Sequence, residues 1–357
     1  CGRTFSLGSV ACDLLHFFAD PQPIQALDRL RNASPAATRM LDHLLFLDLI
    51  TIAPWKCTIR RGVTEPAHRR HQAAPALDDL LASHDLLFGC VIDFANDPPF
   101  SAFSGPYLIR GQALDTTSSL QPTDQGDIVA HTDEGIYDIG RRIAFNTWRA
   151  RLTNKMPIMI GGDHSLSYFA ARGCALDEPL VYVQLDAHHD IGRSVAKPPP
   201  NNNEIDLGLR PLNHANFAYR LALQPSIQNI IQIGVRPSQV MARSSLGATS
   251  GKILQIASPR ANRLSASAIA DAILALGQSV YLSIDLDVVD PAVGLSVTTP
   301  LDDGITFEKL VDIVRELARR RVLVGADIVE FFSSEEPSKR ERTATAVRTI
   351  INACQKR

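Results

Sequence analysis

The amino-acid sequence predicts an α/β protein: a central, mostly parallel sheet lies between helical layers, with a small helical module ahead of it. Three observations predict this. Beyond residue 83, short apolar runs alternate with stretches of helical periodicity, and three of those runs end in clusters of aspartate and histidine. The composition, 45% hydrophobic and 21% charged over 357 residues, can supply a large core. Short unbroken apolar runs are typical of strands buried on both faces, which is the situation of a parallel sheet covered by helices on each side.

From the amino end, Leu7, Val10, Ala11, Leu14, Leu15 and Phe18 recur at helical spacing until Pro21 and Pro23 break the pattern. Ile24, Leu27 and Leu30 mark a short second helix. Ser34 before Pro35 is an N-cap with proline at the first helical position, and Met40, Leu41, Leu44 and Leu45 form a third apolar face. Three helices followed by the β-prone Leu49-Ile50-Thr51-Ile52 predict a winged-helix-like module over residues 1–55. Periodicity then disappears, and Arg60, Arg61, His68, Arg69, Arg70 and His71 make the stretch polar and basic, so residues 56–82 read as a linker. Residues 83–357 form the second domain. Its strands are expected at 86–92, 157–160, 180–183, 230–233, 280–284 and 322–324, and the Pro/Asn run at 198–203 is expected to be a loop.

A formal net charge of −2 argues against nucleic acid or an anionic membrane as partner. No apolar run reaches the roughly 18 residues of a membrane-spanning helix, and no basic start followed by an apolar stretch marks a secretory signal, so a cytoplasmic location is expected. Cys1, Cys12, Cys57, Cys90, Cys174 and Cys354 are scattered without CxxC spacing, which argues against a thiolate zinc site and against a disulfide framework.

The chemistry concentrates after three expected strands. Gly161-Gly162-Asp163-His164-Ser165 follows the first, Asp186-Ala187-His188-His189-Asp190 the second, and Asp285-Leu286-Asp287-Val288-Val289-Asp290-Pro291 the third. All three belong at the carboxyl edge of the sheet, where open α/β sheets bind ligands. Four carboxylates and two imidazoles in one place repel and resist desolvation unless a cation sits among them. A divalent metal pair meets that demand, and oxygen-rich ligation with only two histidines suits Mn²⁺ better than softer metals.

These three motifs, in this order, resemble the signatures of the ureohydrolases, the family of arginase and agmatinase. The resemblance covers roughly residues 86–350, through Phe103-Ser104-Gly105-Pro106, Gln125-Gly126-Asp127-Ile128, Ile231-Gln232-Ile233-Gly234-Val235-Arg236 and Asp327-Ile328-Val329-Glu330. It implies a three-layer arginase-like fold, homo-oligomers, and two Mn²⁺ per subunit. One metal would be held by His164, Asp186, Asp190 and Asp285, and the other by Asp186, His188, Asp285 and Asp287, with Asp186 and Asp285 bridging. The implied reaction hydrolyses a guanidino group to an amine and urea. A metal pair makes hydroxide available near neutral pH, Asp190 can accept a hydrogen bond from it, and the leaving amine needs a proton donor. His214 sits where the family has a loop histidine, with Ala215 in place of the usual glycine; His189 is the rival, but it lies between two ligands. Glu330 matches the carboxylate that pairs with the guanidinium fork. Thr299, before Pro300, matches a threonine near the substrate.

Departures from the family concern specificity. Residues 191–213, with Ile191-Gly192-Arg193-Ser194, do not align with the Asn and Ser set by which arginases hold the free amino acid. Val293–Thr298 lacks the usual glycine-rich run, and Phe331-Phe332 replaces a common Val-Asn-Pro. The amino-terminal module holds four Arg and no Lys against five Asp, so it lacks the basic face of a DNA-reading helix. Binding of a precursor peptide by residues 1–55, through strand addition, is one expectation; a packing or oligomerisation role is the other. The expected substrate is therefore an arginine side chain within a ribosomally made peptide, converted to ornithine. The alternative is a small-molecule ureohydrolase, acting as agmatinase, guanidino-acid hydrolase or arginase. A non-catalytic peptide-binding protein would not need the intact ligand set, and a one-metal deacetylase would not need both Asp287 and His164.

Overall fold

The structure, a computed structural model, describes residues 22–23, 50–53, 56–59, 85–93, 102–110, 122–130, 135–175, 178–192 and 212–355. At the amino end three short strands, β1 (Gln22–Pro23), β2 (Ile50–Ala53) and β3 (Lys56–Ile59), pair antiparallel in the order β1-β3-β2, with Ile50 opposite Ile59 and Ala53 opposite Lys56. This pairing runs past residue 55 into the segment read as a linker. The three expected helices of the module, the remainder of the linker through residue 82 and the 198–203 loop lie outside the described residues.

The larger sheet is built of eight strands: β4 (Leu86–Val91), β5 (Thr123–Val129), β6 (Pro157–Ile160), β7 (Leu180–Leu185), β8 (Ile227–Val235), β9 (Ile253–Ala257), β10 (Val280–Asp285) and β11 (Leu323–Val329). They form one parallel sheet in the order β5-β4-β6-β11-β10-β7-β8-β9. The chain leaves β6 for β7 across a gap that the last two strands, β10 and β11, later fill. Six of the eight strands coincide with expected apolar runs. The other two are the sheet edges: β5 reads Thr-Asp-Gln-Gly-Asp-Ile-Val, too polar to register as a buried strand, and β9 is a five-residue run in which only Ile253 and Ile256 are buried.

Alternation along the strands divides the core into two layers. Phe88, Met159, Tyr182, Ile230 and Tyr281 face one side, and Leu87, Ile158, Val181, Val183, Ile231 and Leu282 face the other. The helices are α1 (Gly105–Arg110), α2 (Ile136–Leu152), α3 (Ser167–Cys174), α4 (Phe217–Ala222), α5 (Ser258–Arg263), α6 (Ala266–Leu274), α7 (Phe307–Arg319) and α8 (Pro337–Gln355). Helices α2 to α4 cover the first face; α1 and α5 to α8 cover the second. Helix α7 shows the local logic. Thr306 caps it by accepting the Lys309 N–H at 3.1 Å, and Leu310, Val311, Ile313, Val314 and Leu317 form the buried stripe. Helices α2 and α3 approach so closely that a Cβ on Gly173 would overlap Thr147 and Ala144. Among the described residues, no helix is long and apolar enough to cross a membrane.

Candidate active site

The site forms at the carboxyl ends of β6, β11, β10 and β7, four neighbours in the sheet. After β6, Gly161 and Gly162 take φ of +76° and +82°, and a Cβ would drive them into Pro106 and Leu166. This turn delivers Asp163, whose carboxylate caps the next turn by accepting the Ser165 N–H at 2.9 Å, and it places His164 in the buried interior. After β7 and β10 the aspartates cap their own turns: Asp186 Oδ1 accepts the His188 N–H at 2.6 Å, and Asp285 Oδ1 accepts the Asp287 N–H at 2.9 Å. Asp287 Oδ1 accepts the Ala187 N–H at 3.0 Å, tying the β10 turn to the β7 turn.

These bonds anchor one oxygen of each carboxylate and turn the other inward. His164 Nδ1 lies 3.0 Å from Asp186 Oδ2, 3.2 Å from Asp190 Oδ2 and 3.4 Å from Asp285 Oδ2, and His188 Nδ1 lies 2.9 Å from Asp287 Oδ2 and 3.6 Å from Asp186 Oδ1. Two groups with metal-ligand geometry result, His164 with Asp186 and Asp285, and Asp186 with His188 and Asp287. Asp186 belongs to both. The structure thus brings all six expected ligands together, Asp190 entering through its contact with His164.

The donor chemistry fits a divalent pair. Ser283 Oγ donates to the buried Asp327 at 2.6 Å, so its oxygen accepts the Nε2–H of His164 at 2.9 Å. That fixes the tautomer and turns a Nδ1 lone pair toward three carboxylate oxygens, where Nδ1 has no hydrogen bond of acceptable geometry. Among the protein groups alone, only protons balance this charge. Burial, with repulsion from Asp186, pushes Asp190 up to about 7, and burial with repulsion from Asp287 and Asp186 pushes Asp285 well up. His188, despite burial, is raised to about 11 by Asp186 and Asp287. A cation pair relieves the same repulsion.

Glu330 stands beside this cluster with φ +57°, a left-handed conformation uncommon for a non-glycine residue. Its Oε1 accepts the His164 N–H at 2.7 Å and its Oε2 accepts Thr298 Oγ1 at 2.6 Å, while burial, then repulsion from Asp163, raises its pKa to about 8. Thr299 is exposed and lies one residue away, 3.5 Å from the Thr298 hydroxyl. A cleft of about 720 Å³ opens at Thr298, lined among others by Phe103, Val297, Phe332, Glu335 and Lys339. His214 sits in the turn before α4, which is joined to the Asp190 segment by Gly192 N–H to Ala215 O at 2.7 Å and Ala218 N–H to Asp190 O at 3.2 Å. Its Nδ1 is buried without a hydrogen-bond partner. The rival His189 is tied into the backbone: its Nδ1 accepts the Ile191 N–H at 2.9 Å.

Four residues that support the site receive no role from the sequence: Thr298, Ser283, Asp327 and Gln184. Ser283 and Asp327 carried a signal, as buried polar residues inside apolar strand runs. Thr298 and Gln184 carried none, because their roles depend on which strands become neighbours. Arg236, part of a recognised motif, is buried and donates to the main-chain oxygens of Gly234, Asp287, Val288, Leu301 and Asp302, holding the β10 turn in place.

Comparison with known proteins agrees with this geometry. The family described as "Arginase family" matches residues 86–355. The N(1)-aminopropylagmatine ureohydrolase of Thermus thermophilus is 28% identical over 228 residues, covering 63% of this chain and 70% of that protein. The hepatic arginase of Aquarana catesbeiana is 26% identical over 224 residues, covering 59% and 68%. The crystal structure of arginase from Bacillus subtilis shares the fold with a TM-score of 0.63 at 20% identity, covering 77% of this chain and 99% of that one. With the family match running through every element of the parallel sheet and every ligand of the site, the chain belongs to the Arginase family.

Proposed function

We propose that this chain hydrolyses a guanidino group to an amine and urea with two Mn²⁺, and that its preferred substrate is an arginine side chain within a ribosomally made peptide, leaving ornithine. Arginase-type guanidino hydrolysis rests on family membership. The observation that carries the binuclear reading is Asp186, one buried carboxylate shared between two groups of ligands.

When bound, the metal pair supplies Lewis acidity and activates water near neutral pH. The chain's own residues do the rest. Glu330, aimed by Thr298 and the His164 N–H, holds the guanidinium by its fork of N–H groups. Asp190 accepts a hydrogen bond from the attacking water. His214 carries a proton to the departing amine through the ring whose Nδ1 lacks a protein partner.

The peptide reading is supported by the cleft of about 720 Å³ at Thr298, which has room and mixed polarity for groups beyond a single guanidine. It is also supported by the order β1-β3-β2, which puts Ile50–Ala53 at one end of its small sheet, a position suited to strand addition. A second reading, a small soluble guanidine, is favoured by the names of the relatives, an aminopropylagmatine ureohydrolase and an arginase. Urea release by the Mn²⁺-loaded full chain separates the two. The substrates compared are a blocked peptide with a central arginine, free arginine, agmatine and N(1)-aminopropylagmatine. Turnover of the peptide well above the three small molecules is expected; turnover of a small guanidine alone would replace the peptide reading with the second, and no urea from any of them would remove both.

A further inference from the structure

A row of three glutamines crosses the sheet beneath the metal site. Gln184 on β7, Gln232 on β8 and Gln255 on β9 stand at one register, so their side chains emerge on one face, a strand apart. Gln184 and Gln232 are completely buried. They join head to tail: Gln255 Nε2 donates to Gln232 Oε1 at 2.7 Å, and Gln232 Nε2 donates to Gln184 Oε1 at 2.7 Å. Gln184 Nε2 then donates to Asp186 Oδ2 at 2.6 Å and to Asp190 Oδ2 at 3.1 Å.

The sense of this ladder is fixed. A side-chain amide can be turned end for end, and its orientation follows from its partners. Two backbone groups supply partners that cannot reverse. The Met241 N–H, only a donor, meets Gln255 Oε1 at 2.8 Å, and the His189 carbonyl, only an acceptor, takes an N–H of Gln232 at 2.5 Å. Turning any one amide would set oxygen against oxygen or N–H against N–H. Gln184 must therefore offer its NH₂, and not its oxygen, to the two aspartates.

We propose that Gln184, aligned by Gln232 and Gln255, is a positioning residue that fixes the carboxylates of Asp186 and Asp190 for the metal shared with His164, and so sets the affinity of that site. This rests on the binuclear reading of the site. An amide suits the task because it donates at every pH at which the protein folds. It also leaves the carboxylates charged, which a cationic partner in the same place would offset in competition with the metal. Chained amides polarise one another, so the outer members strengthen the bond made by the inner one. The His164 site depends on the ladder more than the His188 site does, because Asp190 pairs with His164, His188 pairs with Asp186 and Asp287, and Asp186 serves both.

The test is a Mn²⁺ titration of the metal-free full chain, with free Mn²⁺ read by electron paramagnetic resonance and folding read by circular dichroism melting. Gln184→Met keeps the volume and removes the donors; Gln255→Met breaks the ladder at its partly exposed end; Val183→Ala weakens packing on the opposite face without touching the ladder. Gln184→Met is expected to weaken one of the two Mn²⁺ sites about 10- to 100-fold. Gln255→Met should weaken the same site by a smaller factor, and Val183→Ala should lower the melting temperature while leaving both affinities alone. Unchanged affinities in folded Gln184→Met, or a loss matched by Val183→Ala, would overturn the proposal. Should Gln184→Met not fold, Gln255→Met decides it, and unchanged affinity there is the negative result. A natural chain that binds no Mn²⁺ would instead overturn the metal-site reading, an outcome distinct from equal binding by natural chain and variant.

Discussion

Thr298 Oγ1 donates a 2.6 Å hydrogen bond to Glu330 Oε2, and the two residues meet because their backbones pair. The Thr298 N–H donates to Glu330 O at 3.1 Å, the Phe332 N–H donates to Ser296 O at 3.2 Å, and Val297 bridges Phe331. A hydrogen bond to a buried carboxylate contributes about 1.5–3 kcal/mol. Thr298→Val should therefore lower kcat/KM about 10- to 100-fold with metal content unchanged. Thr299→Val, at an exposed position, should stay within about twofold. Steady-state kinetics alongside metal analysis reads both; a larger loss at Thr299 would return the substrate role to that residue.

Asp186 tests the shared ligand. Asp186→Asn should leave neither metal bound, whereas His188→Asn, in only one ligand group, should leave one. Inductively coupled plasma mass spectrometry on variants purified with Mn²⁺ measures this. Stripping the natural chain with a chelator should lower its melting temperature. Restoring Mn²⁺ at about a hundredfold excess over Kd should return about 2.7 kcal/mol per site. Two full metals in Asp186→Asn would sink the shared-ligand assignment.

A pH dependence follows from Glu316 on α7, which accepts from Arg319 and Arg320, while Arg320 also pairs with Asp271 on α6. Hydrogen bonds from Arg319 and Arg320 hold the Glu316 carboxyl down at about 2. A depressed carboxyl pKa stabilises the fold above the unfolded value, near 4.5, and that contribution is lost as pH falls toward 2. Glu316→Gln should thus lower the melting temperature slightly, by roughly a degree or two, above pH 5, because solvent screens such pairs. The difference from the natural chain should shrink as the pH falls through the window between 4.5 and 2. A gap that widens on acidification contradicts the assignment.

Cys90, Cys174 and Cys354 are buried thiols outside any disulfide, and burial pushes Cys174 up to about 12 and Cys90 well above its usual value. Reactivity belongs to the thiolate. Iodoacetamide at pH 8 should leave these three unmodified in the native chain and label them in denaturant, as peptide mass spectrometry can read. Rapid native labelling of Cys174 would contradict its place at the end of α3, buried against β11.

Much of this was legible in the sequence because it is local. The ligands lie within three short motifs at strand ends, and apolar runs reveal strands buried on both faces. What escaped depends on the neighbourhood of distant segments. The apolar run 322–324 predicts only the start of β11, which runs Leu323–Val329, because Gly325 and Asp327 interrupt its apolar pattern; Asp327 is tolerated there since Tyr281 and Ser283 both donate to it. Thr298 and Thr299 are indistinguishable as letters, and only the pairing of Val297 with Phe331 brings the Thr298 hydroxyl to Glu330. Gln184 acquires meaning only once β7, β8 and β9 stand side by side.

The filling of the gap between β6 and β7 by β10 and β11 has a consequence for biosynthesis. A ribosome delivers the halves β5-β4-β6 and β7-β8-β9 first, each ending in an unpaired apolar edge, and the two central strands last. Until β11 has emerged, nothing joins β6 to β10, so His164 has no place beside Asp186 and Asp285. A chain cut short before Leu323 is therefore not a weak enzyme but an unfinished one, with two exposed edges prone to aggregate. Metal capture, which needs ligands from β6, β7 and β10 at once, therefore waits until the two halves of the sheet are joined.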